Sequence, residues 1–144
     1  MPVNASAVAA KRLLIVDDHP VFRQGIGQLL AQFPEVTICA QAENAPGALA
    51  AMREHGPDVA LLDVSMPGTN GIELIKLMLA EQPRLLILVL SIYDESLYAL
   101  RALRAGAKGY VMKQKSKFSG YCTSTYKWHS GECSRKKFIS EFFE

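Results

Sequence analysis

Four short apolar runs, each ending in a residue capable of ionic or hydrogen-bonding chemistry, constrain this chain more than any other feature. Leu13 to Val16 precedes Asp17 and Asp18, Val59 to Leu62 precedes Asp63, Leu85 to Leu90 precedes Ser91, and Tyr110 to Met112 precedes Lys113. Compact runs without polar alternation suit strands covered on both faces, as in a parallel sheet. Laid side by side, they would place three carboxylates, a hydroxyl and an ammonium along one edge. The carboxyl edge of an open α/β sheet is where ligands bind, so the pattern predicts a site together with a fold.

The intervening segments read as helices. Pro20 to Phe33 carries Val21, Phe22, Ile26, Leu29, Leu30 and Phe33 at helical spacing, with Pro20 suited to a first turn and Pro34 to a stop. Val36 to Ala42 reads as a further strand, and Pro46 to His55 as a helix ended by Gly56 and Pro57. Ile72 to Gln82 and Ser96 to Ala105 complete the helices, with Leu74, Leu77 and Met78 read as core packing. Strands alternating with helices of this length require crossover connections and predict a doubly wound α/β fold with helices on both faces of a parallel sheet.

Composition bounds the function classes. A chain of 144 residues with 49% hydrophobic and 21% charged residues suits one globular domain. No apolar stretch approaches the roughly 18 residues of a membrane span, and residues 1–10 lack the order of a secretory signal. The expectation is therefore a cytoplasmic protein with a flexible leader and no membrane contact. Cys39, Cys122 and Cys133 have no CxxC pairing and suggest neither zinc nor a disulfide framework; Cys39 reads as buried. Residues 114–144 carry six Lys and Arg against three Asp and Glu, a mild basic excess with no specific nucleic-acid motif.

The segments LLIVDDHPVFRQG (13–25), LLDVSMPGTNG (61–71), LVLSIYDE (88–95) and RAGAKGYVMK (104–113) together resemble the receiver domain of bacterial two-component response regulators. The wording DDHPVFRQG is most similar to the NarL/LuxR branch, whose members append a helix-turn-helix domain. The resemblance covers residues 11–113 and implies a flavodoxin-like five-stranded parallel sheet of order 2-1-3-4-5. It implies that Asp63 accepts a phosphoryl group from a sensor histidine kinase with Mg2+. Asp18 and Asp63 would be direct metal ligands, with the backbone carbonyl of Ser65, and Asp17 would act through water. Lys113 would pair with phosphoryl oxygens, Ser91 would donate a hydrogen bond to one, and Ser91 with Tyr110 would form the switch that alters a regulatory surface, for transcription control in the full-length protein. Such a module catalyses only its own phosphorylation and dephosphorylation.

Physical chemistry supports the residue types. Three carboxylates in one cleft repel one another unless a cation compensates, and a hard divalent ion such as Mg2+ takes oxygen ligands and bridges carboxylate to phosphate. Taken singly, Asp17 and Asp18 could cap the first helix, Asp63 could be a loop acid and Lys113 a solvated charge; His19, His55 and His129 read as surface or capping residues. The rival class is an aspartyl-phosphate phosphatase of haloacid dehalogenase type, which needs a second Asp two residues after the nucleophile. That position is Ser65 here.

Residues 114–144 depart from the resemblance. The family places an amphipathic fifth helix soon after the strand holding Lys113, whereas Gly120, Thr123, Ser124 and Thr125 are poor interior helix formers. Two explanations stand: a divergent tail with the helix displaced to residues 132–144, where Phe138, Ile139, Phe142 and Phe143 make an apolar stripe, or a frameshifted or truncated end with no DNA-binding output domain. A missing fifth helix would leave apolar sheet surface bare and favour a homodimer.

Overall fold

Along the chain run β1 (Lys11–Val16), α1 (Pro20–Leu30), β2 (Val36–Ala42), α2 (Ala45–His55), β3 (Val59–Asp63), α3 (Gly71–Glu81), β4 (Leu86–Ser91), α4 (Ser96–Ala105), β5 (Gly109–Lys113), β6 (Phe118–Cys122) and β7 (Lys127–Trp128). The structure is a computed structural model that describes residues 10–68, 70–91, 96–113, 118–122 and 127–128, with backbone alone for 96–97 and from residue 111 onward. The displaced helix expected at 132–144 lies outside the described residues.

The helices start and stop where local chemistry dictates. Pro20 opens α1, where its missing N–H costs nothing. The end of α1 comes at Leu30 rather than Phe33, because Pro34 disfavours helical backbone at the residue before it. Asn44 Oδ1 accepts from Gly47 N–H at 2.7 Å and Asn70 Oδ1 from Glu73 N–H at 3.2 Å, capping α2 and α3. Gly56 closes α2 with φ at 55°, a left-handed conformation that glycine adopts without strain.

The first five strands pair in parallel in the order β2-β1-β3-β4-β5, the flavodoxin-like arrangement expected. Two strands the sequence reading did not foresee continue the sheet: β6 pairs antiparallel with β5, and β7 antiparallel with β6. A free strand edge offers unpaired N–H and C=O groups to any extended segment that can turn back onto it, and Phe118–Cys122 does so.

Side chains alternate between the two faces of each strand. Leu14, Val16, Ala60, Leu62, Ile87 and Val89 pack with Ala48, Met52, Leu74, Ile75, Met78 and Ala102 from α2, α3 and α4. Leu13, Ile15, Leu61, Leu88 and Leu90 form the opposite cluster with Ile26 and Leu30 of α1. Both faces are closed, which explains why Leu13 to Val16 can be apolar at every position. Of the apolar surface expected to lie bare, next to the first and fifth strands, Leu13 and Ile15 of β1 are fully buried, while the β5 side chains from residue 111 lie outside the described residues.

Two side chains depart from expectation. Leu77 is 52% exposed, because it sits one helical step of about 100° from Met78, away from the face holding Leu74 and Ile75. Cys39 is only half-buried, because β2 has a neighbour on one side alone.

Candidate functional site

The order of the strands reverses at β1, which lies between β2 and β3, and such a reversal opens a crevice at the carboxyl ends. Val16 pairs with Leu62, so Asp17 and Asp63 leave the sheet at the same level. Further along, Asp63 pairs with Leu90 and Ser91 with Met112, so Ser91 and Lys113 each lie one step beyond their neighbour. The register alone aligns these residues along one edge.

Asp17 and Asp63 are held by the same local device. Oδ1 of Asp17 accepts the N–H of His19 at 2.9 Å, and Oδ1 of Asp63 accepts the N–H of Ser65 at 2.8 Å. Each carboxylate thus fastens the first turn of the loop that follows its strand. Both are fully buried, and Asp18 is 30% exposed. Neither Asp17 nor Asp18 caps α1; His19 occupies the N-cap position and makes no side-chain cap hydrogen bond.

The three carboxylates meet as expected, and a fourth residue joins them. Ligand-type atoms of Asp17, Asp18, His19 and Asp63 all lie within 4.8 Å of one another. His19 Nδ1 is 3.0 Å from Asp17 Oδ1, 3.0 Å from Asp18 Oδ1 and 3.9 Å from Asp63 Oδ2. The contact with Asp17 is a hydrogen bond, whereas Asp18 Oδ1 is buried with no hydrogen-bond partner despite its proximity to the same nitrogen. One ring N–H aligned on Asp17 cannot also point at Asp18. An orphaned carboxylate oxygen inside a group of hard oxygen donors is what a divalent cation would satisfy.

Arg23 also escaped the sequence reading. Its Nη1 donates to the backbone carbonyl of Asp17, tying the loop after β1 to the second turn of α1. The only signal for it is its place six residues after Asp17, where α1 can carry a long side chain back over the loop.

Ser65 sits half-buried just after β3, and Ser91 is fully buried at the end of β4. Tyr110 is fully buried, its ring turned inward at 6.3 Å from that of Tyr98 on α4. Lys113 ends β5, and its side chain lies outside what is described. His55, at the end of α2, lies 3.9 Å from Glu54 and is not in the carboxylate cluster; His129 lies outside the described residues.

Among the described residues, a groove of about 480 Å³ lies at the opposite edge of the sheet, between Lys11, Asp58, Arg84 and Leu86. There Asp58 Oδ2 already accepts the N–H of Arg12 at 2.9 Å. A smaller recess of about 320 Å³ beside the cleft is lined by Arg23, Gln41, Glu43 and Asn44.

The model of the response regulator receiver domain matches residues 13–118. The chain belongs to this family. As a receiver domain it is 37% identical to the transcriptional regulatory protein DegU of Brevibacillus brevis, over 72% of this chain and 44% of that protein. It is 41% identical to the DNA-binding transcriptional activator DevR/DosR of Mycobacterium tuberculosis, over 71% of this chain and 47% of the relative. The receiver thus spans about half the length of the curated relatives it matches. Among solved structures, a LuxR-family two-component response regulator from Aurantimonas sp. SI85-9A1 superposes with a TM-score of 0.70 at 35% identity, covering 74% of this chain and 76% of that one. Such relatives place the receiver in the NarL/LuxR branch. The match also sets aside the phosphatase rival, in keeping with a serine rather than an aspartate at position 65.

Proposed function

We propose that Asp63 is the phosphoacceptor of this receiver and takes its phosphoryl group from a phosphohistidine on a sensor kinase. In that step an Asp63 oxygen forms a bond to phosphorus as the P–N bond breaks, and the histidine nitrogen keeps the electron pair. Such transfers depend chiefly on alignment and on neutralising the transferring oxygens. The observation that carries the reading is the meeting of Asp17, Asp18 and Asp63 at the switch point, with Asp18 Oδ1 buried and unpartnered.

Asp18, Asp63 and the Ser65 carbonyl are the residues that would hold Mg2+ directly, with Asp17 acting through water. What the ion supplies when bound is neutralisation of the carboxylates, so that an anionic phosphoryl group can approach. Burial at the end of β4 suits Ser91 to donate a hydrogen bond to the acylphosphate, and Lys113 would pair with its remaining oxygens. Tyr110 would couple the occupied site to α4 and β5, the new charge being converted into a change of surface. Control of transcription is carried over from what the relatives' names state and is assigned to no DNA contact within residues 13–118.

Among the described residues no helix is long and apolar enough to cross a membrane. The homodimer expected from the sequence gains no support from the described surface: the exposed large apolar side chains Val21, Leu77 and Leu100 stand on three different helices. Sedimentation of the chain measures it.

The deciding experiment is intact mass after treatment with a small phosphodonor and Mg2+. One phosphoryl group per chain is expected, stable in acid and labile in base, and absent from Asp63→Asn. Unchanged labelling in Asp63→Asn, or repeated release of phosphate from many phosphoesters, overturns the proposal.

A further inference from the structure

The His19 ring is the part of the cleft for which the receiver reading has no task. The helix does not need it there, since His19 makes no side-chain cap hydrogen bond, and its side chain is 60% exposed. Yet Nδ1 stands 3.0 Å from an oxygen of Asp17 and 3.0 Å from an oxygen of Asp18. Neighbouring ligands on an octahedral ion with bonds of about 2.1 Å are themselves about 3.0 Å apart. The nitrogen therefore already sits at ligand-to-ligand spacing from Asp18, and its 3.9 Å from Asp63 Oδ2 falls between adjacent and opposite positions of such a shell.

We infer that His19 Nδ1 is a nitrogen ligand of the cleft, so that the site takes imidazole-binding divalent ions such as Mn2+, Co2+ or Ni2+ as well as Mg2+. This rests on the receiver reading of the carboxylates and adds a donor of another chemical kind. Mg2+ holds to oxygen and water, whereas imidazole suits the later first-row ions. A ligating Nδ1 leaves the ring proton on Nε2, which the exposed edge of the ring can present to solvent. The hydrogen bond to Asp17 is then exchanged for a bond to the ion. A purely structural His19 would keep that hydrogen bond and favour no metal over another.

The difference is read in metal selectivity. Ni2+ and Mg2+ affinities are measured by calorimetry on the whole chain and on His19→Ala, with His55→Ala/His129→Ala as the background for both to remove binding at the other histidines. His19→Ala is expected to weaken Ni2+ by about tenfold or more while Mg2+ moves by less than about threefold. Pulsed electron paramagnetic resonance of the Mn2+-loaded protein is expected to detect a directly bound nitrogen in the background chain and none in His19→Ala. A Ni2+ to Mg2+ affinity ratio unchanged by the substitution, with no nitrogen signal in the background chain, overturns the inference. Phosphoryl uptake on Asp63 with Mg2+ separates the two levels: its persistence keeps the receiver reading even when the His19 inference fails, and its absence from the unsubstituted chain sinks that reading instead.

Discussion

The two ends of the same strands treat charge in opposite ways. At the carboxyl end, Asp17 and Asp63 are fully buried beside Asp18, three groups of one sign meeting around His19. At the amino end, Lys11, Asp58 and Arg84 line a groove, Asp58 is exposed, and its carboxylate is already satisfied by the N–H of Arg12. The amino end mixes signs in water, where such charges cost little. The carboxyl end brings three carboxylates together where water is scarce, an arrangement that a bound cation stabilises. That convergence of carboxylates marks the site.

Substitutions at the two ends, and in the apolar layer between them, test the contrast. The largest stability effect belongs to the middle: Leu88 is fully buried on the central β4, and Leu88→Ala is expected to cost about 2–5 kcal/mol in denaturant unfolding. The ends should then respond with opposite signs. Asp18→Asn removes one of the clustered charges, and without divalent ions it is expected to stabilise by roughly 1 kcal/mol, after discounting the Coulomb repulsion for solvent. The same variant should lose the stabilisation that Mg2+ confers on the parent, read as a melting shift that no longer depends on Mg2+. At the amino end, Asp58→Ala leaves the Arg12 N–H without its partner and is expected to destabilise by about 0.5–1.5 kcal/mol, with no effect on metal binding. Destabilisation by both, or by neither, would break the comparison.

The smallest effect is expected away from both ends, where Arg53 on α2 donates to Glu81 on α3, Nε to Oε2 at 2.8 Å. Those hydrogen bonds, together with the nearby positive charge, hold the Glu81 carboxyl below its usual range. A carboxylate with a depressed folded-state pKa contributes stability that is present above its unfolded value and lost as pH falls through the folded value. Arg53→Met is therefore expected to melt slightly lower than the parent near neutrality, with the two curves converging in acid and in high salt. A difference that grows in acid would reverse the sign of this argument.

How far the sequence was legible differs from element to element. The cores of β1, β3 and β4 were visible because a strand covered on both faces must be apolar at successive positions, and the ends of these strands and of β5 were visible because Asp17, Asp63, Ser91 and Lys113 break the apolar runs. The capping roles of Asn44 and Asn70 follow ordinary rules but went unread beside louder Pro and Gly signals. Leu77 was misplaced because an apolar residue beside a helical stripe looks like part of it until the facing surface is known. His19 read as a surface or capping residue, which its exposure and N-cap position agree with; only the loop geometry set by Asp17 and Arg23 brings its ring onto the carboxylates.

By itself the sequence determined the alternation of strands and helices, the receiver family, and which chemical groups end each strand, because burial periodicity and strand-end chemistry are local properties of the chain. Tertiary structure alone decided that Asp17, 46 residues before Asp63, shares a cleft with it and that His19 turns into that cleft. It also decided that residues 118–122 extend the sheet past β5. Those outcomes depend on register between distant strands, on the direction of a loop and on an unpaired strand edge. None of the three exists until the sheet has formed.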